Sequence, residues 1–265
     1  MVASLAPYLN PTLWGDGLHA SSAQLGQTAF WLAVLRIIFI NILLSGDNAV
    51  VIAMACRGLP APQRLWGMVI GAGVAVLLRI AFTGIVAELL LLPYLKLIGG
   101  LALFYIAAKL IVPEEEDSNE VAAVAHLWRA VGIVVVADVV MSLDNVVAVA
   151  ATANGDFLLL AIGLAVSIPI ILAGAALFMT LLDRFPIVVW AGAALLGWVA
   201  GEVIATDPAI VGHLTASFGE KLARHVEFAA AGAGVALAIA AGGLWRSLHG
   251  MKIRARSVGK EARRA

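Results

Sequence analysis

The sequence predicts an all-α integral membrane protein with seven transmembrane helices, built as two inverted-topology three-helix repeats followed by a C-terminal helix. Three observations favour this class. The chain is strongly apolar, its apolar residues fall into seven runs that are long enough to cross a bilayer, and two of those runs carry nearly the same polar motif.

The composition indicates that lipid is the solvent for most of the chain. Of the 265 residues, 62% are hydrophobic and 13% are charged, and the mean hydropathy is +1.00. A soluble domain has about 45–50% apolar and about 25% charged residues. The formal net charge is zero, so no nucleic-acid partner is expected. The single cysteine, Cys56, excludes an internal disulfide. The first 28 residues contain no Lys or Arg, so no cleaved secretory signal is expected.

Seven apolar runs are each long enough to cross a hydrocarbon core of about 30 Å, which takes about 20 helical residues. Helices are expected because backbone groups that face lipid must bond within their own segment, and the runs are too long and too continuously apolar for barrel strands. The predicted spans are 31–56, 65–92, 94–112, 128–152, 157–182, 186–206 and 227–245. Short links, such as Pro93 and the segment 154–156, require antiparallel neighbours.

Lys and Arg in the connecting segments predict the orientation, because cytoplasmic loops carry an excess of both residues. The basic tail after Trp245 indicates a cytoplasmic C-terminus, and an odd number of spans then places the N-terminus outside. We therefore expect a multi-pass protein of the inner (plasma) membrane. The predicted segments are an extracytoplasmic N-terminal segment 1–30, a first repeat 31–112, an acidic cytoplasmic loop 113–127, a second, inverted repeat 128–206, an extracytoplasmic loop 207–226, a seventh helix 227–245 and a basic cytoplasmic tail 246–265.

An internal repeat relates spans one to three to spans four to six. Residues 39–53 read FINILLSGDNAVVIA and residues 136–150 read VADVVMSLDNVVAVA, and both contain Ser-x-Asp-Asn. Three positions in or directly before the third and sixth spans also match at a constant offset: Pro93 with Pro186, Gly99 with Gly192, and Lys109 with Glu202. Because three is an odd number, the second copy enters the membrane from the opposite face. This plan recurs in secondary transporters.

Three acidic residues, Asp47, Asp138 and Asp144, fall at similar depths inside the spans. An ionised carboxylate at mid-bilayer costs about 2.5–3.5 kcal/mol, so the three are expected to face a cavity, pair with a cation or carry a proton. Helical spacing adds one polar stripe in each copy. The stripes are Asn41, Ser45 and Asn48 in the first copy, and Asp138, Ser142 and Asn145 in the second. Gly46, beside Asp47, would allow the first helix to open locally.

The candidate ligands are all oxygen atoms, which suit Mg²⁺, Ca²⁺ or Mn²⁺ better than Zn²⁺ or Cu⁺. Asn and Ser side chains also join helices simply by hydrogen bonding, but three acidic residues exceed what packing requires. Further charged residues in the spans include Arg79, a candidate counter-charge for an acid, and Lys109 and Glu202, which are expected to extend toward the interface.

The segments 41–48 (NILLSGDN) and 138–145 (DVVMSLDN) resemble the signature of the TerC integral membrane proteins, and the chain resembles the short branch of that family in length and span layout. Members are associated with Mn²⁺ efflux and with metal or tellurite stress. The candidate accessory residues, taken from their positions in the spans, are Ser45, Ser142, Arg79, Lys109 and Glu202. The resemblance itself implies a metal-binding set of six residues. That set is Asp47, Asn48, Asp138, Asp144, Asn145 and Asn41.

The leading functional prediction is a divalent-cation transporter that exports Mn²⁺ by alternating access. The expected partners are the lipid bilayer, a divalent metal ion as cargo and protons as counter-ion, with no permanently bound cofactor. A non-transporting membrane scaffold in stress response and an exporter of another small solute remain open. No enzyme is expected, because the sequence contains no nucleophile–base set and no His-containing metal motif.

Overall fold

The structure is a computed structural model that describes residues 26–83, 89–112, 120–153, 156–218 and 220–261. Regular structure within these ranges is entirely helical and comprises eight helices. They are α1 (Thr28–Cys56), α2 (Ala61–Thr83), α3 (Leu95–Leu110), α4 (Glu120–Ala153), α5 (Phe157–Arg184), α6 (Ile187–Ala205), α7 (Pro208–Phe218) and α8 (Glu220–Glu261). The predicted all-helical membrane class is therefore confirmed for the described part of the chain.

Six helices in the described ranges are long and apolar enough to cross a membrane: α1, α2, α5, α6 and the central parts of α4 and α8. The third predicted span, 94–112, is shorter than expected. Its helix α3 has 16 residues, or about 24 Å at 1.5 Å per residue. The count of seven spans is therefore not confirmed by length and composition.

Helices extend into two segments that were predicted as a loop and a tail. Helix α7 and the start of α8 lie in the segment 207–226, and α8 continues to Glu261 through most of the segment 246–265. Residues 113–119 of the predicted acidic loop lie outside the described residues, as do residues 1–25 and 154–155.

Most contacts among the first six helices come in pairs that correspond when α1 to α3 are exchanged with α4 to α6. Helix α1 packs on α5, and its counterpart α4 packs on α2. Three further contacts, α1 with α4, α2 with α5 and α3 with α6, join helices that the predicted repeat makes equivalent. Helix α8, which has no counterpart, packs on α6 and α3.

The bundle has an apolar outer surface in addition to an apolar core that encloses a polar cluster. Large apolar side chains such as Phe39, Leu43 and Leu77 are 66–73% exposed on the outer surface of the bundle. Polar side chains such as Asn41 and Arg79 are buried inside it. A soluble protein rarely exposes so many large apolar side chains together, so the outer surface of this bundle suits lipid.

Helices α6 and α8 approach each other through small residues. A Cβ atom added to Gly197 would lie 2.6 Å from the carbonyl oxygen of Gly234. A Cβ added to Gly201 or Gly234 would collide with the backbone of Ala230 or of Gly197. Small residues spaced by four are typical of membrane helices whose backbones touch, so this contact fixes α8 against the second half.

Asp207, at the junction of α6 and α7, binds two helix N-termini with one buried carboxylate. Its Oδ1 accepts from the backbone N–H of Ala209 in α7 at 2.9 Å and from that of Tyr94 at 3.1 Å. Its Oδ2 accepts from the N–H of Leu97 in α3 at 3.1 Å. Tyr94 has a left-handed backbone, with φ of 68°. Asp207 therefore caps α7 and also holds the start of α3 from outside.

Replacing Asp207 by alanine is expected to lower the free energy of unfolding by about 2 kcal/mol, since one helix cap contributes about 1 kcal/mol. Asp156→Ala is the matched control and should cost about half as much, because Asp156 caps only α5. Thermal unfolding in detergent measures both. Equal losses in the two variants would contradict the double cap.

The contribution of Asp207 should also depend on pH. Desolvation raises the pKa of Asp207, but the backbone N–H groups of Tyr94, Ala209, Leu97 and Lys96 outweigh it and hold this pKa below its ordinary value of 3.8. A carboxylate with a lowered pKa stabilises the fold above its unfolded pKa and loses that effect as pH falls through the folded pKa. The stability difference between wild type and Asp207→Ala should therefore be constant near neutral pH and shrink below about pH 4.

Candidate cation site

Arg79 of α2 lies at the centre of a buried polar cluster between α1, α2 and α4. Its side chain is 2% exposed. Nη1 donates to Oδ1 of Asn41 at 2.8 Å and to Oγ of Ser45 at 3.1 Å, and Nη2 donates to Oδ1 of Asp138 in an ion pair. A guanidinium carries five N–H donors and no acceptor. Arg79 therefore joins the polar stripe of the first copy to the first acid of the second copy.

Asp138 and Asn48 complete this cluster and leave polar atoms without partners. Nδ2 of Asn48 donates to Oδ1 of Asp138 at 2.7 Å. In the part of the chain that the structure describes, Oδ2 of Asp138, Oδ1 of Asn48 and Nε of Arg79 are buried without a hydrogen-bond partner. Buried polar atoms normally have a partner. The two acceptor oxygens are therefore suited to a cation or to water.

A small cavity lies beside these atoms. It offers about 20 Å³ to the centre of a water molecule and is lined by Asn48, Arg79 and Asp138 together with apolar side chains that include Val76 and Ile171. About 10–15 Å³ by this measure is enough for one water. The cavity can thus hold one small guest beside the unpartnered oxygens.

Helix α5 joins the cluster through Ser167, a residue that the sequence analysis missed. Nδ2 of Asn41 donates to Oγ of Ser167 at 2.5 Å, and Oγ of Ser167 donates to the Leu164 carbonyl at 2.7 Å. Ser167 lies outside the repeated motif. The available signal was a lone serine two residues before Pro169, a proline inside the helix.

Two backbone groups in α1, one helical turn apart, hydrogen-bond to side chains of the polar motifs. The N–H of Asn48 donates to Oδ1 of Asp47 at 2.9 Å, and the Leu44 carbonyl accepts from Nδ2 of Asn145 at 2.9 Å. In an α-helix the N–H of residue 48 bonds to the carbonyl of residue 44. Helix α1 is continuous through both residues, so the local opening expected beside Gly46 is not present in this structure.

The remaining predicted residues divide between the cluster and other places. Asp47 is half-buried at the edge of the cluster and interacts electrostatically with Arg79 and Asp138. Ser142 is buried and donates to the Val139 carbonyl of its own helix at 3.3 Å. The side chain of Asp144 lies outside the described atoms.

Lys109 and Glu202, the other predicted accessory residues, do not belong to the cluster. Lys109 lines a separate cavity at the end of α3, and Glu202 is exposed on α6. Within the described residues, no three His, Cys, Asp or Glu side chains converge as a metal-binding group. The described cluster instead pairs one acid with the Arg79 guanidinium.

The fold and this cluster define a polytopic α-helical membrane protein with a buried ionic site between its two halves. Residues 26–247 match the integral membrane protein TerC family, and the chain belongs to that family. The resemblance seen in the two motifs is thereby confirmed.

Two relatives from Bacillus subtilis (strain 168) illustrate the similarity. The chain is 42% identical to the membrane protein YjbE over 178 aligned residues. The aligned region covers 67% of this chain and 81% of the relative. The chain is 25% identical to the membrane protein YceF over 209 aligned residues, and this aligned region covers 76% of the chain and 78% of that relative. No solved structure matches the chain.

Proposed function

We propose that this protein transports a divalent metal cation, with Mn²⁺ efflux as its activity and Mn²⁺ as cargo. TerC proteins are linked to metal-ion transport and tellurite resistance. The observation that carries the proposal is the buried cluster of Arg79, Asp138 and Asn48, with two unpartnered acceptor oxygens beside a small cavity. An ionisable cluster inside a membrane bundle is typical of an ion pathway.

The charge of the site favours a divalent cation. Asp47, Asp138 and Asp144 are acidic and Arg79 is basic, so the four residues carry a formal charge of two negative when all are ionised. One divalent ion neutralises this charge. The oxygen ligands, with amide oxygens from Asn41, Asn48 and Asn145, suit Mn²⁺, Mg²⁺ or Ca²⁺. Tellurite is an oxyanion and would be repelled, so we do not propose that it is carried.

Arg79 acts as the internal counter-cation of the site in this proposal. While no ion is bound, its guanidinium neutralises Asp138, which would otherwise be a costly buried charge. An arriving metal ion binds the free oxygen of Asp138 and competes with Arg79 for the other. One of the acids exchanges the ion for a proton, which couples export to the proton gradient.

Alternating access in this proposal uses seven spans, with α1 to α3 and α4 to α6 as inverted repeats and α8 as the seventh. The exchange symmetry of the helix packing supports the repeat. Helix α3, with 16 residues, counts in this proposal as a short third span. In this proposal the protein lies in the inner membrane, with its N-terminus outside the cytoplasm and its C-terminus inside it. The protein is a transporter and not an enzyme.

Asp138→Asn is expected to reduce Mn²⁺ flux into proteoliposomes at least about tenfold, a loss of about 1.4 kcal/mol of transition-state stabilisation. The amide keeps the shape of Asp138 but removes the charge that attracts the ion. Flux is measured with a Mn²⁺-sensitive dye, with and without an imposed pH gradient, and the response to the gradient reports on proton coupling.

The matched control for this measurement is Asp183→Asn. Asp183 is an exposed carboxylate that pairs with Arg64 outside the cluster, so flux should stay near wild type. Unchanged flux in Asp138→Asn would contradict the site. Folded wild type that moves none of Mn²⁺, Ca²⁺ and Mg²⁺ would contradict transport and favour the scaffold alternative.

A further inference from the structure

Ser167 lies at the point where α5 packs closely against α1. Gly163, one helical turn before Ser167, has no room for a side chain, because a Cβ atom added there would collide with the side chain of Ile37 in α1. Ile37 is itself one helical turn before Asn41. The close approach of the two helices therefore brings the hydroxyl of Ser167 to the amide of Asn41, and both residues are fully buried.

The hydroxyl of Ser167 can only accept from Asn41, because its single proton is already used. Oγ of Ser167 donates that proton to the Leu164 carbonyl at 2.7 Å and accepts from Nδ2 of Asn41 at 2.5 Å. A serine hydroxyl has one donor and two acceptor sites. The contact therefore requires the Asn41 amide to present its nitrogen, and not its oxygen, toward α5.

The other end of the Asn41 amide is an acceptor for the cluster. Its Oδ1 accepts from Nη1 of Arg79 at 2.8 Å and from Oγ of Ser45 at 3.2 Å. If the amide were turned round, its NH₂ group would face a guanidinium that has no acceptor. Its oxygen would then face the Ser167 hydroxyl, whose proton is used. Ser167 and Arg79 together therefore select one orientation of Asn41.

The orientation of Asn41 decides how much of Asp138 the guanidinium covers. Arginine often pairs with a carboxylate through two parallel N–H···O bonds. Here Nη2 donates to Oδ1 of Asp138, while Nη1 is held by Asn41 and Ser45. The second oxygen, Oδ2 of Asp138, stays without a hydrogen-bond partner. Once released by Asn41, Nη1 is free to bond Oδ2, which closes the ion pair over both oxygens.

We propose that Ser167 is a positioning residue of the cation site. By fixing the amide of Asn41, it holds Nη1 of Arg79 away from Asp138 and keeps the second carboxylate oxygen available to the cation. This inference rests on the proposed function and adds to it a residue outside the repeated motif. Without Ser167, a fraction of the molecules has a closed pair between Arg79 and Asp138, and the apparent affinity for the cation falls with the fraction that stays open.

The test measures Mn²⁺ flux into proteoliposomes over a range of Mn²⁺ concentrations. Ser167→Ala should raise the half-saturating concentration at least about fivefold, which is the size of effect that one lost hydrogen bond produces. Maximal flux should change less than about twofold, because the ion still binds and moves once the pair opens. Ser167→Cys keeps the size of the side chain but is a weaker acceptor. It should give a smaller increase and provides the test if the alanine variant does not fold.

Thr180→Val is the matched control for the loss of a hydroxyl from α5. The hydroxyl of Thr180 also donates to a carbonyl of its own helix, that of Ala176 at 3.0 Å, but Thr180 is exposed. Its half-saturating concentration should therefore equal that of wild type. An unchanged half-saturating concentration in both Ser167→Ala and Ser167→Cys would overturn the proposal.

A double-mutant cycle with Asn41→Ala separates positioning from a general loss of structure. If Ser167 acts through Asn41, the double variant should have the half-saturating concentration of Asn41→Ala alone, since the effects of interacting residues do not add. Independent effects that multiply would contradict positioning. Unfolding temperatures of the same four chains test the contact without any cation. Wild type that moves no cation would contradict the proposed function, whereas additive losses in unfolding temperature would contradict the link between Ser167 and Asn41.

Discussion

Replacing Arg79 by methionine is expected to lower the free energy of unfolding by about 3–5 kcal/mol, because the change leaves Asp138 as an uncompensated buried charge. The same change removes the donor that Asn41 and Ser45 share. Thermal or denaturant unfolding in detergent measures the loss. Arg64→Met is the matched control. Its ion pair with Asp183 is 30–49% exposed, so that variant should lose no more than about 1 kcal/mol.

The double variant Arg79→Met/Asp138→Leu separates stability from transport. Replacing both partners of a buried ion pair by apolar residues removes the uncompensated charge, so the double variant should be more stable than Arg79→Met alone. It should still be less stable than wild type, because Asn41, Ser45 and Asn48 lose hydrogen-bond partners. It should nevertheless move no Mn²⁺, since the site has lost its central acid. If Arg79→Met alone were as stable as wild type, the buried ion pair would be excluded. If the double variant transported Mn²⁺, the assignment of Asp138 would be excluded.

Replacing Gly234 by valine should be comparably damaging, with a loss of about 3 kcal/mol or more in unfolding free energy. A Cβ at this position meets the backbone of Gly197 in α6, and backbone atoms cannot rotate away as a flexible side chain can. Overpacking of a tight contact costs about 1–3 kcal/mol where neighbours relax. Expression yield and unfolding temperature in detergent check this expectation.

Gly232→Val is the matched control for this prediction. Gly232 lies on the same helix two residues away, and a Cβ there meets nothing within 4 Å. Both variants share any loss or gain in helix propensity, so their difference isolates the contact between α6 and α8. Equal stability of the two variants would contradict close approach of these helices.

The sequence predicted the membrane class and the polar stripe of α1 because both depend on local patterns. Hydropathy identified six of the spans, and helical spacing placed Asn41, Ser45 and Asn48 on one buried face. The sequence also indicated Arg79 as a counter-charge, because Arg79 is a basic residue inside a predicted span. Which acid Arg79 meets could not be predicted, since the contact with Asp138 joins residues 59 apart and depends on how α2 packs against α4.

Two features could not be predicted from hydropathy, because hydropathy measures the preference of side chains for lipid and carries little information on backbone conformation. Because the residues around Pro93 are apolar, the second predicted span was drawn up to residue 92 and the third from residue 94. In the structure the chain turns at Tyr94, and helix α3 starts only at Leu95. Asp207 looked like an ordinary loop residue. Its role depends on two helix ends that only the fold brings together.

The contacts of Arg79 also bear on how the chain enters the membrane during synthesis. A lone arginine at the centre of a membrane helix costs about 2.5–3.5 kcal/mol on insertion, and Asp138 is made 59 residues after Arg79. Asn41 and Ser45 precede Arg79 by 38 and 34 residues, however, and both accept from its guanidinium. The hairpin of α1 and α2 therefore carries its own partners for this charge. The nascent protein can hold Arg79 in the bilayer while α4 is still being translated.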